Sequence, residues 1–246
     1  MVENGIESRH SLGGVREARR PGLVRRLVGR LAVLCVILVA LPVVLIPLYR
    51  TVDPPVTTVM LINKAAGVAM ERQWVPFDDI SPHLVRAVVM SEDGRFCSHS
   101  GIDWEEVRRV LDRMEDGGRP RGASTITMQT VKNLFLWPQR SWLRKGLEVP
   151  LALYADFVLP KRRILEIYLN IAEWGTGLYG AEAAAQHYFG VAASALSPAQ
   201  AARLAAALPA PRERNPANPG RVTARLASII ANRAAKSGAY VRCVLE

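Results

Sequence analysis

Apolar and polar positions follow different rules in successive parts of the chain. From Leu31 to Tyr49, LAVLCVILVALPVVLIPLY, no position carries a charge. At 1.5 Å per residue this run makes a helix of roughly 28 Å, enough for a hydrocarbon core of about 30 Å, and the prolines Pro42 and Pro47 are tolerated in such helices. VTTVMLIN (56–63) is β-branched and partly alternating, which predicts a single strand. From Ile80 onward the apolar period is helical. Ser81 supplies a cap and Pro82 a first helical residue, Leu84, Val85, Val88 and Val89 form a stripe, and Gly94 supplies the stop. Ser141 caps a helix with Leu143, Leu147, Leu151 and Val158 as its inner stripe and a kink expected at Pro150. A further helix from Arg162 to Trp174 buries Ile164, Leu165, Tyr168, Leu169 and Ala172, then runs into the Gly175-Thr176-Gly177 turn. Residues 181–189 form a helix stopped by Gly190, Ser197-Pro198 opens another that Pro209 ends, and a last one runs from near Pro219 to Gly238. Met114–Gly122 is a polar, Gly-rich loop and a candidate flap. The expected fold class is mainly α: a leader (1–30), a transmembrane anchor (31–49) and one helical domain (50–246).

Charge adds direction to the anchor. Seven arginines precede it (Arg9, Arg16, Arg19, Arg20, Arg25, Arg26, Arg30) against three glutamates. By the positive-inside rule the leader, read as disordered, stays in the cytoplasm and the residues after Arg50 lie outside. A cleaved signal peptide is the rival; the long basic leader and the lack of an A-x-A-like site after Tyr49 favour a retained anchor. The net charge of +10 calls for an anionic partner. Nucleic acid is disfavoured, since no helix-turn-helix, finger or stacking-sheet signature is present and the basic residues are dispersed. Three cysteines without a CxxC pair disfavour a zinc site or a disulfide framework. Cys97 and Cys243 would share an oxidising compartment, but spacing in sequence does not establish a bridge, so that pairing stays open.

Candidate chemistry concentrates in two stretches. In ISPHLVRAVVMSEDGRFCSHSGID (80–103), Glu92 stands at the end of the buried stripe. A carboxylate there has its pKa raised by desolvation, toward the range of a general base. The helix alone equally allows a glutamate that reaches to water or an arginine, but Asp93, Phe96, His99, Gly101 and Asp103 crowd behind it. In the second stretch, Ser124, Thr125 and Thr127 offer hydroxyls and Gln129 an amide, while Lys132, Arg140, Arg144 and Lys145 offer cations. Glu148 falls three and four residues after Lys145 and Arg144, which in isolation reads as a surface helix held by ion pairs.

At this point the chain resembles a known family. EDGRFCSHSGID (92–103), GASTITMQTVKN (122–133), RKGLE (144–148), RRILEIYLN (162–170) and GLYGAEAAAQHYFG (177–190) look like the five motifs of the family 51 glycosyltransferases, the peptidoglycan transglycosylases, in family order. Met128 departs from the pattern, since the family usually has a second glutamine there; Gln129 matches. No lysine has a serine three residues before it, so the SxxK nucleophile of a linked transpeptidase is absent and a monofunctional member is expected.

The resemblance implies a lysozyme-like helical fold and polymerisation of lipid II into β-1,4-linked glycan strands with release of undecaprenyl diphosphate. It implies Glu92 and Glu148 as catalytic acidic residues. It also implies Asp93, Phe96, His99, Ser124, Thr125, Gln129, Lys132, Asn133, Arg140, Arg144 and Lys145 around the substrate, with His99 ordering the loop behind Glu92 rather than serving as a second base. Glu148 would hold the cations, or a divalent Mg²⁺ or Mn²⁺, at the diphosphate; no tightly bound cofactor is expected. Lipid II, the growing strand and the bilayer are the expected partners, with cell-division or cell-wall synthesis proteins as candidates, and the inner membrane with a periplasmic domain is the expected location. Two rivals remain: a lysozyme-type lytic enzyme, and a non-catalytic membrane scaffold.

Overall fold

The computed structural model describes residues 23–118 and 122–246. It is mainly helical: α1 (Leu23–Leu48), α2 (Thr58–Ala65), α3 (Pro82–Glu92), α4 (Trp104–Glu115), α5 (Ile126–Phe135), α6 (Trp142–Val158), α7 (Lys161–Ile171), α8 (Ala181–Phe189), α9 (Pro198–Ala207), α10 (Arg221–Ala235) and α11 (Arg242–Leu245). Three short strands, β1 (Glu71–Arg72), β2 (Glu173–Gly175) and β3 (Leu178–Tyr179), form a sheet in the order β1-β3-β2, with β1 parallel and β2 antiparallel to β3.

α1 is long and apolar enough to cross a membrane, over Val24–Leu48. It begins eight residues before the expected anchor, so Leu23–Arg30 are helical rather than part of a disordered leader. The apolar residues Val24, Leu27 and Val28 between the arginines continue the helix, and long arginine side chains can reach toward an interface from its end. The leader before residue 23 lies outside the described residues. A compact unit runs from Pro42, inside α1, to Glu246. Ile46 and Tyr49 are buried in its core, Tyr49 stacks on Phe135, and the Tyr154 hydroxyl donates to the Val43 carbonyl.

Residues 56–63 are not a strand. Thr57 caps α2 by accepting from the Met60 N–H, and Val59, Met60 and Asn63 face inward at helical spacing. The β-branched composition was outweighed by the cap and by packing on α5. The helix expected to run to Trp174 ends at Ile171, and Glu173–Gly175 instead pairs with β3. Of the loop expected at 114–122, Met114 and Glu115 close α4, and residues 119–121 lie outside the described residues.

Three helices carry the expected local signals. Ser81 caps α3 with Pro82 at its start, Gly190 ends α8 in the left-handed conformation at φ 64°, and Ser197 and Gln200 form a capping box on α9. α3 packs on α9 and α10, while α5 packs on α6 and α7.

α6 is rotated from its expected register. Its buried line is Arg144, Glu148, Ala152 and Ala155, while Leu143 and Leu147 are exposed and Leu151 and Val158 are half-buried. The charged residues go inside because they satisfy one another there, and the apolar face points outward. Gly101, at φ 78°, packs against this helix; a Cβ there would lie 2.6 Å from the Ala152 carbonyl oxygen. The loop after α3 is also tied to the C-terminus by a Cys97–Cys243 disulfide with Cα atoms 5.6 Å apart.

Candidate active site

Glu92 is the last residue of α3, positioned by the buried stripe Leu84, Val85, Val88 and Val89. Its Oε2 accepts a hydrogen bond from Gln129 Nε2 on α5 at 3.0 Å. Burial pushes its pKa up, and the Gln129 donation, Lys132 and Arg214 act in the opposite direction. Asp93 joins α3 to α5: its oxygens lie 2.9 and 3.1 Å from His99 Nε2, and Oδ2 accepts the Ile126 N–H at 2.9 Å. That N–H is the first of α5, where a carboxylate also meets the positive end of the helix dipole. Thr125 caps the same helix and donates to the Gly101 carbonyl at 2.6 Å.

A second cluster lies across α5. Glu148 is 2% exposed, with Oε1 bonded by Arg144 Nη1 and Oε2 by Lys145 Nζ at 3.0 Å. Lys145 Nζ also donates to Ser124 Oγ at 2.8 Å, and Arg144 Nε to the Gln139 carbonyl at 2.8 Å. Lys132 faces both carboxylates. Burial lowers its pKa, Glu148 and Glu92 raise it, and the neighbouring Arg144 and Lys145 lower it. Glu148 is therefore no surface residue with optional ion pairs.

Two cavities flank the Glu92–Gln129 pair. One of about 700 Å³ is lined by Glu92, Asp93, Ser124 and Thr125 together with Arg95, Arg109 and Arg233. The other, of about 220 Å³, is lined by Gln129, Lys132, Asn133, Tyr168 and Glu173. The Glu92–Gln129 hydrogen bond thus links the walls of both.

The structure brings most of the expected residues together, with exceptions. Phe96 is wholly buried in the core beneath Lys161 Nζ, 4.6 Å from its ring centroid, and lines neither cavity. His99 is likewise behind the site, holding Asp93. Arg140 is exposed between α5 and α6 and lines neither cavity, because the chain turns outward there before Ser141 caps α6. Met128 faces the core, which accounts for an apolar side chain at that position. Thr127 is also buried and donates to Asp156.

Glu148 does not fit a divalent ion. Both its oxygens are engaged by cations, and among the described residues no group of three or more His, Cys, Asp or Glu could hold a metal. Arg144 and Lys145 hold both carboxylate oxygens instead, and no step is derived through a metal.

Sequence reasoning missed Arg214, which reaches back from the segment after α9 to the Ala206 carbonyl at 2.6 Å and shares a cavity with Glu92. It also placed Tyr168 only in the core. Its hydroxyl donates to Gln129 Oε1 at 3.2 Å. No motif signals the first; the second lies within RRILEIYLN.

A family model described as Transglycosylase matches residues 60–234. A biosynthetic peptidoglycan transglycosylase of Agrobacterium fabrum is 53% identical over 223 residues, 90% of this chain and 99% of its own length. Proteins of the same name from Brucella suis (58% identical; 85% and 94% covered) and Rhizobium meliloti (53%; 88% and 92%) are similarly related. With a match over most of the chain and relatives this similar along nearly their whole length, the chain belongs to the transglycosylase family.

Proposed function

We propose that the chain is a monofunctional peptidoglycan glycosyltransferase that polymerises lipid II, with Glu92 as the general base. The observation that carries the reading is a partly buried carboxylate that lines the larger cavity, held by one oxygen to Gln129 and beside a cluster of cations. The 4-hydroxyl of the acceptor sugar gives its proton to Glu92 as its oxygen bonds to the anomeric carbon of the growing strand. The bond from that carbon to the diphosphate breaks, with inversion, and the lipid diphosphate leaves with the electron pair. Lys132 and Lys145 are placed to offset its charge, and Glu148 keeps Arg144 and Lys145 in position.

A lytic enzyme needs a second carboxylate free to act on water or on the sugar. Glu148, the carboxylate across α5, has both oxygens tied to cations, which favours transfer over cleavage.

Work at a bilayer is supported by the outward face of α6. Trp142, Phe157 and Leu143 are 92%, 89% and 70% exposed. They share one side of the helix, and Tyr154 of the same helix touches the end of α1. An exposed apolar face of this kind suits the acyl boundary of a membrane. The leader arginines and the Cys97–Cys243 bridge favour a cytoplasmic N-terminus and an extracytoplasmic, periplasmic domain in the inner membrane. Cell-wall synthesis and division proteins are the protein partners this role implies.

Purified protein with lipid II in detergent should produce ladders of glycan and should not solubilise purified peptidoglycan. Solubilisation without ladders would establish the lytic reading instead.

A further inference from the structure

Tyr168 is buried on α7, where phenylalanine would fill nearly the same space. A hydroxyl in such surroundings is unfavourable unless bonded. Its one bond among the described residues runs to Gln129 Oε1 at 3.2 Å, and the same amide donates from Nε2 to Glu92 Oε2 at 3.0 Å. Burial first, then the charges of Glu92 and Asp93, push the phenol pKa well up, so Tyr168 stays a neutral donor.

We propose that Tyr168 is a positioning residue that holds the Gln129 amide with its NH₂ toward Glu92, favouring the ionised carboxylate. An amide turned over would point its oxygen at a carboxylate, two acceptors with no proton between them. It would also leave the tyrosine O–H without an acceptor in the core, since Tyr168 would then only receive the NH₂. Both costs fall on the turned state, so the relay sets the amide direction. Gln129 opposes the burial that raises the Glu92 pKa, and it occupies Oε2, leaving Oε1 for the acceptor hydroxyl.

The catalytic meaning rests on Glu92 being the base, but the relay itself is testable without it. In full-length protein, the Glu92 carboxyl is followed by ¹³C NMR against pH, its signal identified by loss in Glu92→Gln. The acid limb of kcat/KM for lipid II polymerisation is measured in parallel. Tyr168→Phe should move both to higher pH by about 0.5–1 unit, a fraction of what a hydrogen bond to a charged group is worth. Gln129→Ala should move them at least as far, and adding Tyr168→Phe to Gln129→Ala should move them no further. A Glu92 titration unchanged in Tyr168→Phe, or the same displacement with Gln129 already removed, overturns the proposal. Should Tyr168→Phe not fold, an unmoved titration in Gln129→Ala overturns it as well. A titration that moves as expected while Glu92→Gln still polymerises supports the relay and removes only the base assignment.

Discussion

Replacing Glu148 by glutamine separates a buried charge cluster from a surface one. The carboxylate is 2% exposed, and its partner Arg144 is 8% exposed, so glutamine leaves the guanidinium charge inside without compensation. Removing one member of a buried pair typically costs about 3–5 kcal/mol. Lys145, with a side chain 37% exposed, can turn to water, so only one cation is trapped and the lower end, about 3 kcal/mol, applies. For a domain of roughly 200 residues, each kcal/mol lowers Tm by about 2–4 °C, so Glu148→Gln should melt roughly 6–12 °C lower. Thermal unfolding in detergent, followed by near-UV circular dichroism, reads this directly. The double variant Arg144→Met/Glu148→Leu should recover most of the loss, since apolar residues of similar volume replace the pair without an orphaned charge. Its polymerisation should not recover. A Glu148→Gln protein that melts within about 2 °C of the parent would refute the reasoning, because the cluster would then be solvated.

Two further outcomes follow from the fold. Cys97→Ser or Cys243→Ser should cost about 2–5 kcal/mol, because the bridge joins residues 146 apart, and denaturant titration with and without reductant should give the same loss; equal stability of oxidised and reduced protein would contradict it. In the compact unit from Pro42 to Glu246, Trp142→Glu/Phe157→Glu should weaken binding to anionic vesicles while leaving turnover of short-chain lipid II in detergent near the parent's; unchanged vesicle binding would remove the docking role of α6.

What was legible in the sequence was local. Ser81-Pro82, Gly190 and Ser197-Pro198 punctuate helices through contacts within a few residues, and the structure has those helices. The α6 stripe is reversed in the structure, because period tells which residues share a face and not whether that face meets the core or a membrane. The buried line through Arg144 and Glu148 becomes favourable only when Ser124 and Gln139 supply further bonds from elsewhere in the chain. The stretch 56–63 was decided by the Thr57 cap and by α5, against its composition. Within the site, Glu92, Gln129 and Lys132 stand in motifs. Arg214 acts across more than a hundred residues, and the Tyr168 hydroxyl matters through a partner on another helix, so neither role has a spacing to read.

The central claim is the role of Glu92, and Glu92→Gln measured for both activity and Tm tests it most directly. Burial raises its folded-state pKa above the unfolded value, so its contribution to stability is fully present below the unfolded pKa and lost as pH rises through the folded one. At neutral pH the ionised carboxylate is therefore an unfavourable presence in the fold, and glutamine should leave Tm unchanged or slightly higher. A base is typically worth about 10²- to 10⁴-fold, so lipid II polymerisation should fall at least about a hundredfold. A folded Glu92→Gln protein that polymerises within about tenfold of the parent would contradict the account.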